Sequence, residues 1–160
     1  MADPEAAFEN SEGFVGCADG FRAVDTPFDA HVRLVEQDES TVEYVLDCQV
    51  PSLDAVVEGD TLSDALLDGW AETMARRLGD AGHATSLEAL EVDCSWDRDQ
   101  FEVVFRIHRP VDRAPPIADL LALVGYLEGT YLQGLIPGYS YQEPAAGMLE
   151  QAERRGRADG

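Results

Sequence analysis

The chain has 160 residues, enough for one domain with a substantial core, and its 45% content of apolar residues argues against intrinsic disorder. It has 32 acidic residues against 11 basic ones, a net charge of −21, and all the basic residues are arginine because the sequence contains no lysine. This charge argues against nucleic acid as a partner, since phosphate binding needs clustered cations.

We interpret the excess of carboxylates as an adaptation to salt. In dilute buffer such a charge destabilises the compact state through self-repulsion. In molar salt the screening length falls to about 3 Å, and most of that repulsion disappears. A halophilic cell, with a haloarchaeon as the expected source, explains the charge. Cys17, Cys48 and Cys94 form no CxxC motif. The residues after Met1 do not have the charged segment followed by an apolar segment that is typical of a secretory signal. We therefore predict a reduced, cytoplasmic protein.

The first half of the chain predicts a short helix followed by strands. Asp3 and Pro4 are typical of a helix start. Asp19-Gly20 between two short apolar runs predicts a hairpin, and alternating apolar and polar residues predict a second antiparallel pair. The predicted strands are residues 14–18, 21–24, 30–34 and 42–50.

The second half predicts two long helices around another hairpin. Asp60 and Thr61 open the first helix and Gly79 ends it. Strands at 90–96 and 101–107 follow. The second helix spans 117–136, and a short helix follows Pro144.

This order of elements predicts an α+β fold. We expect a single antiparallel sheet with two long helices packed on one face and short terminal helices. The order is similar to that of small secretion chaperones, which is a likeness of fold and not of function. One domain is expected over residues 1–153, with a flexible C-terminal tail over 154–160.

The helix at 117–136 has a stripe of small residues beside its apolar side. Asp119, Glu128 and Gln133 interrupt its apolar sequence, so we predict no membrane span. Residues without bulk let another backbone approach closely. The stripe fits either packing against the protein's own sheet or the interface of a homodimer. Its members are Ala118, Ala122, Gly125 and Gly129.

Motifs for nucleotides, metals and nucleophilic catalysis are absent from the sequence, so we predict no cofactor and no metal site. Glu128 lies on the apolar side of its helix. It is either an acid with a raised pKa suited to acid–base chemistry, or a carboxylate that lies at the edge of the stripe or pairs with an arginine.

Arg106, Arg109 and Arg113 form a basic cluster together with His108. The cluster is either a site for an anionic ligand or an acidic partner segment, or a set of surface ion pairs in which Arg106 meets Glu91 or Asp93.

Tyr139 and Tyr141 follow Pro137-Gly138 in an extended segment. Aromatic side chains with polar tips are typical of binding interfaces. They are equally typical of a segment that closes over a sheet edge.

Four segments identify a resemblance. They are TPFDA at 26–30, VPSLDAVVE at 50–58, DGWAETMARRLGDA at 68–81 and LIPGYSYQEPAAGML at 135–149. The chain resembles an uncharacterised haloarchaeal protein family, a domain of unknown function. The resemblance implies one halophilic domain, and it implies no catalytic residue.

We therefore expect a non-catalytic protein-binding or adaptor module that forms a homodimer. The alternative is a small-ligand-binding protein or an enzyme that uses Glu128 and the Arg106–Arg113 cluster in a cleft between helix and sheet.

Overall fold

The computed structural model describes residues 4–87 and 89–158. The predicted cap Asp3 and the end of the predicted tail, residues 159–160, lie outside the described residues. The helices are α1 (Pro4–Glu9), α2 (Leu53–Val56), α3 (Asp64–Leu78), α4 (Ile117–Gly134) and α5 (Ala145–Ala158). The strands are β1 (Phe14–Cys17), β2 (Gly20–Ala23), β3 (Asp29–Glu36), β4 (Thr41–Pro51), β5 (Glu91–Trp96) and β6 (Gln100–Pro110).

The six strands form one antiparallel sheet in the order β1-β2-β3-β4-β6-β5. The hairpins predicted from the sequence are present, and β4 and β6 join them along their full lengths, from Thr41 opposite Pro110 to Pro51 opposite Gln100. The predicted α+β class is confirmed. Because β4 lies between β3 and β6, its inward residues are buried throughout.

The core lies between the sheet and the two long helices. Trp70 of α3 and Tyr131 of α4 meet edge to face, with ring centroids 6.1 Å apart, and Trp70 also meets Phe101 of β6 at 5.8 Å. The Tyr131 hydroxyl donates a hydrogen bond to the Pro51 carbonyl of β4 at 2.9 Å. These contacts fix α3 and α4 on the inward face of the sheet.

β5 is an edge strand, so its inward side chains are only half-buried. Two local features differ from prediction. Helix α3 begins at Asp64 and not at Asp60, because the Ser63 hydroxyl accepts from the Leu66 N–H and caps the first turn. Helix α5 has 14 residues and continues to Ala158, so it is not short, and it includes the first five residues of the predicted tail.

None of the described helices is both long enough and apolar enough to cross a membrane.

Candidate functional site

The small stripe of α4 does not pack against the sheet. Ala118, Gly125 and Gly129 are exposed, and Ala122 is half-buried. A Cβ atom built on Gly125 or Gly129 would have no neighbour within 4 Å. The interpretation that placed this stripe against the protein's own sheet is therefore wrong, because Leu120, Leu123 and Leu127 face the core instead.

Gly125 and Gly129 form the floor of a groove of about 630 Å³ between α4 and α5, which we call the α4–α5 groove. The loop between β2 and β3 also contributes to its lining. The lining residues from that loop are Val24, Asp25, Thr26 and Pro27, and those from α4 are Gly125, Glu128, Gly129 and Leu132. Such a volume exceeds that of a packing defect and lies within the range of ligand sites.

The wall opposite α4 is one stripe of α5. Met148, Gln151, Ala152 and Arg155 recur at three- and four-residue spacing, so they lie along the same side of the helix. Met148 and Ala152 are only half-buried. The side of α5 that faces the groove thus combines small and apolar residues with a terminal cation.

The charges in the α4–α5 groove are mostly negative. Glu128 is half-buried and makes no hydrogen bond or ion pair with any described residue. Glu143 accepts a hydrogen bond from the Gly147 N–H at 3.0 Å, so its carboxylate is engaged at the start of α5. Arg155 is exposed and has no ion-pair partner in the part of the chain that the structure describes. A carboxylate and a guanidinium thus line one groove without pairing.

A family model described as a family of unknown function, DUF5813, matches residues 5–151. The chain belongs to DUF5813. The resemblance inferred from the sequence is confirmed at this level, and the haloarchaeal source stays a prediction. Neither a curated protein nor a solved structure matches the chain.

In this DUF5813 member the basic cluster lies apart from Glu128. Arg106 has the outward orientation of β6, between the buried residues Phe105 and Ile107, whereas α4 packs on the inward face. Arg106 pairs with Asp93 at 2.8 Å, as its position in the hairpin predicted. The sheet therefore separates Arg106 from Glu128, and the two do not share a helix–sheet cleft.

The other two arginines of the cluster are also not among the described residues that line the groove. Arg109 donates to the Ala114 carbonyl at 2.8 Å, which braces the turn after β6. Arg113 is exposed in that turn. The cluster therefore includes the Arg106–Asp93 ion pair, a contact of 3.0 Å between His108 and Glu43, and one loop contact, and none of its residues lines the α4–α5 groove.

The tyrosines of the extended segment are half-buried against the core. The Tyr141 hydroxyl donates to the Ile136 carbonyl at 2.8 Å and accepts from the Ile136 N–H at 2.7 Å. Burial raises the pKa of Tyr141, so the hydroxyl stays protonated. Tyr141 also bridges Val57, which ties the segment after α4 to the end of α2. This geometry favours a closing segment over an exposed binding surface.

The sequence patterns did not indicate a pair of carboxyl groups that lies on the outward face of the sheet. Asp47 of β4 and Glu102 of β6 are diagonal neighbours, because Asp47 lies opposite Val104 and Glu102 lies opposite Gln49. Burial raises the pKa of Asp47, and the charge of Glu102 and a hydrogen bond with it raise that pKa further. Their outward orientation was predictable, but the β4–β6 pairing that brings them together was not.

No group of three or more His, Cys, Asp and Glu residues within 4–87 and 89–158 is arranged to hold a metal ion. The described lining of the α4–α5 groove offers carboxylates, one guanidinium and backbone groups. These are groups that recognise a charged partner. The sequence analysis missed the α5 wall, although the spacing of Met148, Gln151 and Arg155 is a signal that could have found it.

Proposed function

We propose that this protein is a non-catalytic protein-binding module of a halophilic cytoplasm, and that the α4–α5 groove is its docking site. The observation that supports this is the open space above Gly125 and Gly129, between two helices that face each other without packing closely. Two exposed glycines on one helix side allow a partner backbone to approach the axis of α4 closely.

The shape and charge of the groove fit a helical or extended protein segment with at least one cation. The groove runs between two helix sides, so a rod-shaped segment would contact both. At its wall, Asp25 and Glu128 supply carboxylates that pair with no described residue. An arginine or lysine of the partner would then neutralise part of the excess negative charge of this protein, whose net charge is −21.

The salt-adapted setting is supported by composition. The chain has almost three acidic residues for each basic one, and it uses arginine alone as its cation. Charges of one sign at this density favour the unfolded chain unless salt screens them.

A second candidate function is binding of a small cationic molecule, with or without subsequent chemistry. The volume of about 630 Å³ favours it, since small-molecule sites cover roughly 300–1,000 Å³. In this form Glu128 acts without Arg106, Arg109 and Arg113, which lie elsewhere on the fold.

The test is affinity capture from a haloarchaeal lysate in molar KCl, with mass spectrometry of the bound proteins and small molecules. Gly125→Leu fills the groove. Gly69→Leu is the matched control, because Gly69 is also an exposed helical glycine with open space around it. It lies on α3 and lines a separate apolar groove of about 310 Å³.

We expect a protein that binds the wild type and Gly69→Leu and is lost with Gly125→Leu. A small molecule with that pattern of binding would support the second candidate instead. An identical set of bound species for Gly125→Leu and the wild type would contradict both uses of the groove.

A further inference from the structure

We propose that the occupant of the α4–α5 groove is a second copy of this chain, whose α5 packs antiparallel to the first α5 about a two-fold axis. The inference rests on the proposed function, because it uses the same groove and names the partner.

Each copy has a cation and a carboxylate in the groove that pair with no described residue of their own chain, so two copies could exchange them. Arg154 and Arg155 are adjacent near the end of α5, on a chain with only 11 basic residues. Arg154 pairs within the helix with Glu150, four residues earlier. Arg155 lines the groove and has no ion pair within the described chain, and the same holds for Glu128. A second copy would bring its Arg155 to the first copy's Glu128 and would have its own Glu128 neutralised in return.

Two-fold symmetry makes this exchange reciprocal. In an isologous interface, a contact of residue i with residue j is repeated as a contact of j with i. If two α5 helices cross antiparallel near Glu150, then Met148 of each copy meets Ala152 of the other. The C-terminal turn with Arg155 then lies beside the opposite helix's N-terminal turn. Oppositely directed helix dipoles also favour this arrangement over a parallel one.

The packing surface suits a close helix pair. The stripe of α5 that faces the groove places the small residues Gly147 and Ala152 beside Met148. Met148 and Ala152 are only half-buried within one chain, although α5 is amphipathic enough to bury such a stripe. Gly125 and Gly129 leave room below for the second helix. The second copy would thus cover an apolar stripe that the single chain leaves partly in solvent.

The charges allow an experiment whose result a purely steric effect could not produce. Arg155→Glu places like charges at both symmetry-related pairs, and so does Glu128→Arg. In sedimentation equilibrium in molar KCl, we expect each variant alone to dissociate with a Kd raised about tenfold over the wild type. An equimolar mixture of the two should recover the wild-type Kd, because both pairs in the mixed dimer are again of opposite charge.

Steric variants give the independent check. Gly125→Leu should be monomeric and folded by circular dichroism, whereas Gly69→Leu should remain dimeric. A wild type that is monomeric at its highest soluble concentration in molar KCl would overturn the inference. A mixture of Arg155→Glu and Glu128→Arg that stays as dissociated as its components would also overturn it.

These outcomes are separable from failure of the proposed function. If the wild type is monomeric but Gly125→Leu still loses a captured protein, the groove binds a different partner and only the inference fails. If the wild type is monomeric and the Gly125→Leu variant captures the same species as the wild type, both fail.

Discussion

The Asp47→Asn substitution should stabilise this protein at neutral pH. Asp47 lies on the central strand β4, between His31 of β3 and Val104 of β6, and it is the diagonal neighbour of the Glu102 carboxylate. One of its carboxylate oxygens is buried without a hydrogen-bond partner among the described residues. Asparagine keeps the shape of the side chain, removes the repulsion from Glu102 and supplies an N–H that can donate to it.

The size of the effect follows from opposing contributions. Relief of like-charge repulsion between neighbouring strands contributes roughly 0.2–1 kcal/mol, and a hydrogen bond to a charged acceptor contributes about 1.5–3 kcal/mol. The attractions of Asp47 to His31 and Arg33 are lost, and surface pairs of this kind are worth roughly 0–1 kcal/mol each. Because Asp47 and Glu102 are only half-buried, solvent screening reduces these contributions. We expect a net gain of about 1 kcal/mol, which corresponds to a rise in Tm of about 2–4 °C for a domain of this size.

The gain should depend on pH with a defined sign. The folded-state pKa of Asp47 is raised above the ordinary value of 3.8, so the folded protein binds more protons than the unfolded chain between those two values. The stability that this group contributes is fully present below pH 3.8 and is lost as the pH rises through the folded-state pKa. The advantage of Asp47→Asn should therefore be largest at neutral pH and should shrink as the pH falls.

The assay is urea unfolding in molar KCl, followed by circular dichroism from neutral to mildly acidic pH. Asp93→Asn is the control, because it also removes one negative charge from the outward side of the sheet but breaks an ion pair with Arg106. That variant should be neutral or slightly destabilised. Equal stabilisation by both substitutions would show that general relief of charge, and not the Asp47–Glu102 pair, sets the stability.

Three further outcomes are expected. Lowering KCl from molar to tens of millimolar should lower the melting temperature, because the screening of charge repulsion is lost. Equal melting temperatures at both salt concentrations would refute the salt adaptation. Gly69→Ala should raise the unfolding free energy by about 0.5–1 kcal/mol, measured by urea unfolding, because Gly69 is exposed within α3 and a Cβ meets nothing within 4 Å. In the native protein a thiol reagent should label exposed Cys17 quickly and buried Cys48 only on unfolding, because burial also raises the pKa of the Cys48 thiol. Equal labelling rates would contradict the buried position of Cys48.

The sequence by itself determined the local elements. Period-two alternation predicted the strands at 42–50 and 101–107, and three-and-four spacing predicted α4, which the structure has at Ile117–Gly134. Both patterns depend on neighbours a few residues apart, so a single sequence contains them in full. The class of fold followed from their order.

The candidate site was predictable only in part. The sequence singled out Glu128, Gly125 and Gly129, since each interrupts or borders an apolar helix. It did not place α5 opposite them, because the sequence pattern indicated a short final helix. It also linked Glu128 with Arg106, and only the position of β6 in the sheet shows that the two lie on opposite sides.

Tertiary structure alone decided which distant elements meet. The pairing of β4 with β6 joins residues that α2, α3 and β5 separate in the chain, and it brings Asp47 to Glu102. The groove between α4 and α5, above Gly125 and Gly129, is likewise set by how both helices pack on the core. Such contacts result from competition among all possible strand pairings and packings of the whole chain. Local periodicity does not show which of these arrangements is the most stable.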